Sequence, residues 1–152
     1  MLVRVTMNRV IVLVGLPGSG KSTWAAEQRQ TVLSSDAIRA LLSGDETNQA
    51  IHARVFSTMR FLLRQRLELG AGVTIVDATH LARKWRKPWI QLAAKYGATV
   101  EAVYFDIGVE ECLRRNRLRT RVVPEAAIRQ LAAKLEIPVK AEGFARVRTI
   151  RA

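Results

Sequence analysis

The 152-residue chain lacks most of what would point away from a soluble catalytic domain. With one cysteine, Cys112, it cannot close an internal disulfide. Helical neighbours around Cys112 mark it as a small buried hydrophobe and not a nucleophile. Only His52 and His80 are histidines, each standing alone, so no His/Cys group has zinc-ligand spacing. No apolar run approaches the ~18 residues that cross a bilayer, and no ordered secretory leader opens the chain. The expected location is cytoplasmic. Four prolines and nine glycines are too few for a low-complexity tract, and no repeat is present. Acidic residues are also scarce, 13 against 25 Lys and Arg, for a net charge of +12. A surface this basic concentrates polyanions such as nucleic acids, although an arginine-rich solvated surface gives the same total. The length fits a single domain, residues 1–152, with one core.

The strongest positive signal is the run Gly15-Leu16-Pro17-Gly18-Ser19-Gly20-Lys21-Ser22-Thr23, which follows the strand-like Val10-Ile11-Val12-Leu13-Val14. This is a complete G-x-x-x-x-G-K-[ST] phosphate loop, and the chain is expected to bind a nucleoside triphosphate with Mg²⁺. The glycines let backbone N–H groups surround phosphate oxygens, Lys21 reaches the β- and γ-phosphates, and Ser22 is placed to ligate Mg²⁺. A helix from Ser22 to Gln28 adds its N-terminal dipole.

Beyond this loop, apolar periodicity predicts a strand at Thr31–Leu33 and a helix near Asp36, capped by Ser34 or Ser35. A long helix follows over Asn48–Leu69, then a buried strand at Val73–Asp77 and a helix from about Pro88 to Tyr96. Thr99–Phe105 reads as a fourth strand, Val109–Arg117 and Pro124–Leu135 as helices, and Phe144–Ile150 as a fifth strand. Strands alternating with helices imply an α/β fold of three layers around a five-stranded parallel sheet, with ligands at the carboxyl ends of the strands. Asp36, Asp77 and Asp106 are then expected on the nucleotide side.

Phosphoryl transfer needs phosphate donors, a magnesium site, a base for the acceptor hydroxyl and added positive charge. Asp36 at the second strand end is a candidate base, and Arg39, one turn on, a phosphate or carboxylate clamp. Taken alone, the pair also reads as a helix-starting carboxylate and a surface cation. Asp77 suits a carboxylate that holds Mg²⁺ through water or tethers a polar neighbour; capping the turn at Thr79 is the other reading. Arg115, Arg119 and Arg121 straddle a helix break, where residues about 115–123 form an arginine-bearing lid or a solvated basic helix end.

These blocks together resemble a family. Gly15–Ala25, Ser34–Arg39, Val76–His80, Glu111–Arg119 and Val123-Pro124 are similar, in order and spacing, to the kinase domain of 5′-polynucleotide kinases from phage and bacterial end-repair enzymes. The resemblance implies that Asp36 is the general base for a 5′-hydroxyl, and that Arg39 binds phosphate beside the acceptor end. It implies that Asp77, Thr79 and His80 serve the acceptor side, with His80 standing where the family commonly has asparagine. It further implies that Arg115 and Arg119 contact the donor phosphates, while Lys21 and Ser22 keep their phosphate and magnesium roles.

The run Arg83-Lys84-Trp85-Arg86-Lys87, with Trp85 and Trp89 interleaved, either tracks a nucleic acid backbone or combines core-facing indoles with solvated cations. The reading as a whole is an ATP-dependent kinase of 5′-hydroxyl ends of DNA or RNA, acting in end repair. A P-loop kinase for a small alcohol (sugar, nucleoside or antibiotic) is the alternative, and a nucleotide-dependent switch is a further one.

Overall fold

A computed structural model describes residues 7–151. Its sheet has five parallel strands: β1 (Arg9–Val14), β2 (Thr31–Ser34), β3 (Val73–Asp77), β4 (Thr99–Asp106) and β5 (Arg146–Arg151), in the order β2-β3-β1-β4-β5. Six α-helices cover it: α1 (Lys21–Glu27), α2 (Ser35–Ser43), α3 (His52–Leu69), α4 (Arg83–Lys95), α5 (Val109–Arg117) and α6 (Glu125–Ala132). None is long and apolar enough to cross a membrane.

The alternating side chains of β1 explain the three layers. Val10, Val12 and Val14 point to one face, where they join Val55, Met59 and Leu63 of α3 and Trp89 and Ala93 of α4. Ile11 and Leu13 point to the other, against Ala25 of α1, Cys112 of α5 and Phe105 of β4. A central strand buried on both faces has no polar side to show, which is why it reads as an unbroken apolar run.

Most sequence-derived boundaries agree with the structure to within a few residues. Ser34 is the residue that caps α2, its Oγ accepting the Ala37 N–H at 3.2 Å. One helix differs. α4 begins at Arg83, well before the expected start at Pro88, and runs through that proline. Its beginning is held by the Trp85 N–H to the Ala82 carbonyl and by Arg86, which is fully buried and bonded to neighbouring backbone. These anchors outweigh the intrahelical hydrogen bond that Pro88 removes.

The element order places the carboxyl ends of β1, β2 and β3 side by side, facing a cavity of about 1000 Å³. Asp106 departs from expectation: at the end of β4 it pairs with Arg151 at 3.3 Å and accepts from the Tyr104 hydroxyl at 3.4 Å, outside the cavity lining. Strand β5 brings Arg151 alongside it in register, so this carboxylate ties together the ends of β4 and β5.

Candidate active site

The phosphate loop leaves β1 and turns into α1, and its backbone shows why glycine is required. Gly18 and Gly20 have φ of +83° and +95°, a left-handed conformation that a side chain disfavours. Gly18 also lies against α5, where a Cβ would come within 2.7 Å of the Cys112 carbonyl oxygen. Gly15 lies over Ser19, whose Oγ would be 2.6 Å from an added Cβ. Pro17 to Trp24 line the cavity, whereas Leu16 is buried beneath the loop and its carbonyl accepts the Lys21 Nζ at 2.9 Å. Burial lowers the Lys21 pKa to about 8 against the opposing pull of Asp77, with Arg119 adding to the lowering. A buried ammonium satisfied by one loop carbonyl is a cation in want of an anion.

The metal corner fits its expected occupant. The Ser22 hydroxyl donates to Asp77 Oδ2 at 2.8 Å, so one hydroxyl and one carboxylate oxygen meet at the loop. Burial raises the pKa of Asp77, partly offset by Lys21 and by the Ser22 hydrogen bond. The Ser19 Oγ is buried without a partner in the same loop, a polar atom left for a ligand.

Across the cavity, the N-terminal turn of α2 presents Asp36 and Arg39. Arg39 Nη1 is 3.2 Å from Asp36 Oδ1; the arginine side chain is only 4% exposed and the aspartate 48%. The buried end of Arg39 meets His52 Nδ1 at 3.4 Å, and its Nε has no partner. Burial, reinforced by Arg39, lowers the His52 pKa and keeps the ring a neutral acceptor.

The lid supplies further cations. Arg115 on α5 is braced by Glu111 at 2.9 Å and reaches the Ser19 carbonyl at 3.4 Å, directly above the phosphate loop. Arg119 is exposed on the cavity wall. Arg121 reaches α2, where its Nη1 lies 3.1 Å from Asp36 Oδ2. Asn116 holds the segment in shape: its Nδ2 donates to the Val123 carbonyl at 2.7 Å and its Oδ1 accepts the Val123 N–H at 2.9 Å. The Arg121 contact was not legible from spacing, because only the folded lid sets residue 121 against residue 36.

His80 does not take the acceptor position expected of it. Its ring is turned into the core, where Nδ1–H donates to the Leu13 carbonyl at 2.7 Å and the ring edges meet Phe56 and Trp89. Its backbone lies in the left-handed region, φ +47°, a conformation uncommon for a residue other than glycine. Asp77 and Thr79 do line the cavity. Burial lowers the His80 pKa to about 4, so unfolding at acid pH takes up a proton. The contribution to stability is present above about pH 6.5 and is lost progressively toward pH 4, amounting to about 3 kcal/mol. Urea unfolding at several pH values is expected to show that slope, and His80→Asn to remove it.

The basic run after Asp77 also divides. Arg86 is fully buried, pairing with Glu142 at 2.8 Å, and Trp89 is a core residue, whereas Arg83, Lys84, Trp85 and Lys87 are exposed. A backbone-tracking surface therefore has neither Arg86 nor Trp89.

A phosphate loop thus faces an Asp–Arg pair across one cavity, with further arginines on the cavity wall. The family described as "AAA domain" matches residues 10–138. The chain belongs to that family. Its fold is the α/β fold of P-loop kinases. The chain is 23% identical, over 151 residues, to the bifunctional polynucleotide phosphatase/kinase of Schizosaccharomyces pombe (strain 972 / ATCC 24843), covering 94% of this chain and 33% of that protein. It thus spans about a third of that curated relative's length. The structure of the Pnkp1/Rnl/Hen1 RNA repair complex contains a similar fold, with TM-score 0.72 at 21% identity over 85% of this chain and 44% of the other. A gluconokinase from Sinorhizobium meliloti 1021 shares the fold as well, with TM-score 0.62 at 19% identity over 98% and 84% of the two chains.

Proposed function

We propose that this P-loop kinase transfers the γ-phosphate of ATP to the 5′-hydroxyl end of DNA or RNA, in nucleic acid end repair, with residues 1–152 acting as one kinase domain. The observation that carries the proposal is the Asp36–Arg39 pair facing the phosphate loop across one cavity, at the carboxyl ends of adjacent strands. A switch that hydrolyses its nucleotide has no use for a carboxylate and a buried guanidinium at an acceptor position. The chain's 94% coverage by alignment to a polynucleotide phosphatase/kinase, and its net charge of +12, favour a polyanionic acceptor over a sugar.

The residues divide the chemistry as follows. Backbone N–H groups of Gly18, Gly20, Lys21, Ser22 and Thr23 and the Lys21 ammonium hold the β- and γ-phosphates, with Arg115 and Arg119 above them. Asp36 orients the 5′-hydroxyl and takes its proton as the oxygen forms a bond to the γ-phosphorus and the bond to the β,γ-bridging oxygen breaks, releasing ADP. Arg39 binds the phosphate next to the acceptor end, and Thr79 lies beside it on the cavity wall. Ser22 and, through water, Asp77 would hold Mg²⁺, which would supply neutralising charge for the phosphates. Arg121 pairs with Asp36 Oδ2 at 3.1 Å, so the acceptor hydroxyl competes with this arginine for the base.

Label transfer from γ-labelled ATP tests the proposal, with 5′-hydroxyl DNA and RNA oligonucleotides, 5′-phosphorylated controls and a panel of small alcohols as acceptors. Label on the 5′-hydroxyl strands alone is the expected result. Label on a small alcohol with none on the oligonucleotides would overturn it.

A further inference from the structure

Sequence reasoning paired Trp85 with Trp89, but the fold joins Trp85 to rings on another helix. The His52 ring, at the start of α3, lies 6.5 Å from the Trp85 ring and nearly perpendicular to it. His52 also leans on Phe56 at 4.7 Å. Phe56 continues to His80 at 6.5 Å, and His80 to the buried Trp89 at 5.8 Å. The outer rings are therefore fixed from below by an aromatic chain that ends in the core.

Three observations give this cluster a use. His52 and Phe56 line the cavity at its acceptor end, and His52 touches Arg39, the partner of Asp36. Trp85 is 52% exposed, a large area of indole left in water. The surroundings are cationic: Lys84 Nζ lies 5.0 Å from the Trp85 ring centroid, and Arg83 and Lys87 are exposed on the same turn of α4. Lysines flanking an exposed indole are unlike a protein–protein interface, where they are depleted, and like a surface for single-stranded nucleic acid.

We propose that the exposed Trp85 indole, braced edge-on by His52 with Phe56 behind it, is a stacking platform for the terminal nucleobase of the acceptor strand, with the flanking cations on its first phosphates. The inference rests on the polynucleotide reading above and deepens it. A base on this platform has left its duplex stack, so single-stranded or overhanging 5′ ends are the preferred acceptors. Because every base has a π-face, the platform is tolerant of sequence but not of a missing base.

The test uses the full chain with γ-labelled ATP and Mg²⁺, and a single-stranded 5′-hydroxyl DNA oligonucleotide offered in two forms, one ordinary and one abasic at its terminal nucleotide. Stacking on an aromatic side chain contributes on the order of a tenfold change in affinity per base. Wild-type protein is expected to show a KM about tenfold higher for the abasic acceptor. Trp85→Ala is expected to raise KM about tenfold for the ordinary acceptor and hardly at all for the abasic one, and Trp85→Phe to restore most of the loss. KM for ATP and kcat at saturating acceptor report that the variants are folded. Equal KM values for wild type and Trp85→Ala, or the same fold-change on both acceptors, would overturn the platform while leaving the kinase reading intact. Failure of wild-type protein to label any 5′-hydroxyl strand would overturn the kinase reading, and the platform with it.

Discussion

Asp36→Asn is expected to lower turnover by about 10²- to 10⁴-fold at saturating ATP and acceptor, with nucleotide binding retained. The substitution keeps the shape and one oxygen for Arg39, and removes only the charge that receives a proton. Asp36 carries little structural load, since its side chain is 48% exposed and sits in the first turn of α2. The loss therefore reports chemistry and not folding. Rapid-quench measurement of labelled product, alongside equilibrium binding of ATP, separates the two steps. Wild-type turnover in Asp36→Asn would remove the base from the mechanism and leave Asp36 as an anchor for Arg121, which it meets at 3.1 Å.

What could be read from sequence was whatever is encoded locally. The phosphate loop, the β2–α2 corner with its Asp36 and Arg39, and the alternating elements each carry their signal within a few residues, and the five-stranded sheet followed. Three features depend on residues far apart in the chain and were not legible. Arg121 reaches Asp36 only because Asn116 folds the lid back on α5. His80 belongs to the core, where Leu13, 67 residues away, offers its ring a carbonyl. Arg86 looked like one cation in a solvated run, and its partner lies 56 residues away. A charge pattern in sequence shows that cations are adjacent, but burial selects one of them and only the fold shows which.

That buried arginine is the basis of the second large effect: Arg86→Met is expected to destabilise the protein by about 3–5 kcal/mol. Arg86 Nε and Nη2 donate to the two carboxylate oxygens of Glu142 at 2.8 and 2.9 Å, while Nη1 donates to the carbonyls of His80 and Leu81 at 2.9 and 3.0 Å. Removing it strands a carboxylate that is 5% exposed, beside Arg83 at 3.9 Å, and frees a segment that holds the cavity wall. That segment is fastened at several points, for the Thr79 carbonyl accepts the Gly15 N–H at 3.0 Å and the Leu81 carbonyl accepts the Glu136 N–H at 2.9 Å. Burial alone would raise the Glu142 pKa, but Arg86, the Val139 N–H and Arg83 outweigh it and hold the group below its usual value. A lowered carboxylate contributes stability above its unfolded pKa and loses it as pH falls through the folded one. The wild-type protein should therefore lose this increment in acid, and Arg86→Met should not have it to lose. Urea unfolding at neutral and acid pH measures both predictions. The double variant Arg86→Met with Glu142→Leu should recover much of the neutral-pH stability, since it removes the stranded charge. Kinase turnover should recover less, because the carbonyls of His80 and Leu81 remain without the guanidinium that positions the β3–α4 segment. Full recovery of both stability and turnover would reduce Arg86 to half of a replaceable ion pair; recovery of stability alone would show that its hold on this segment serves the site.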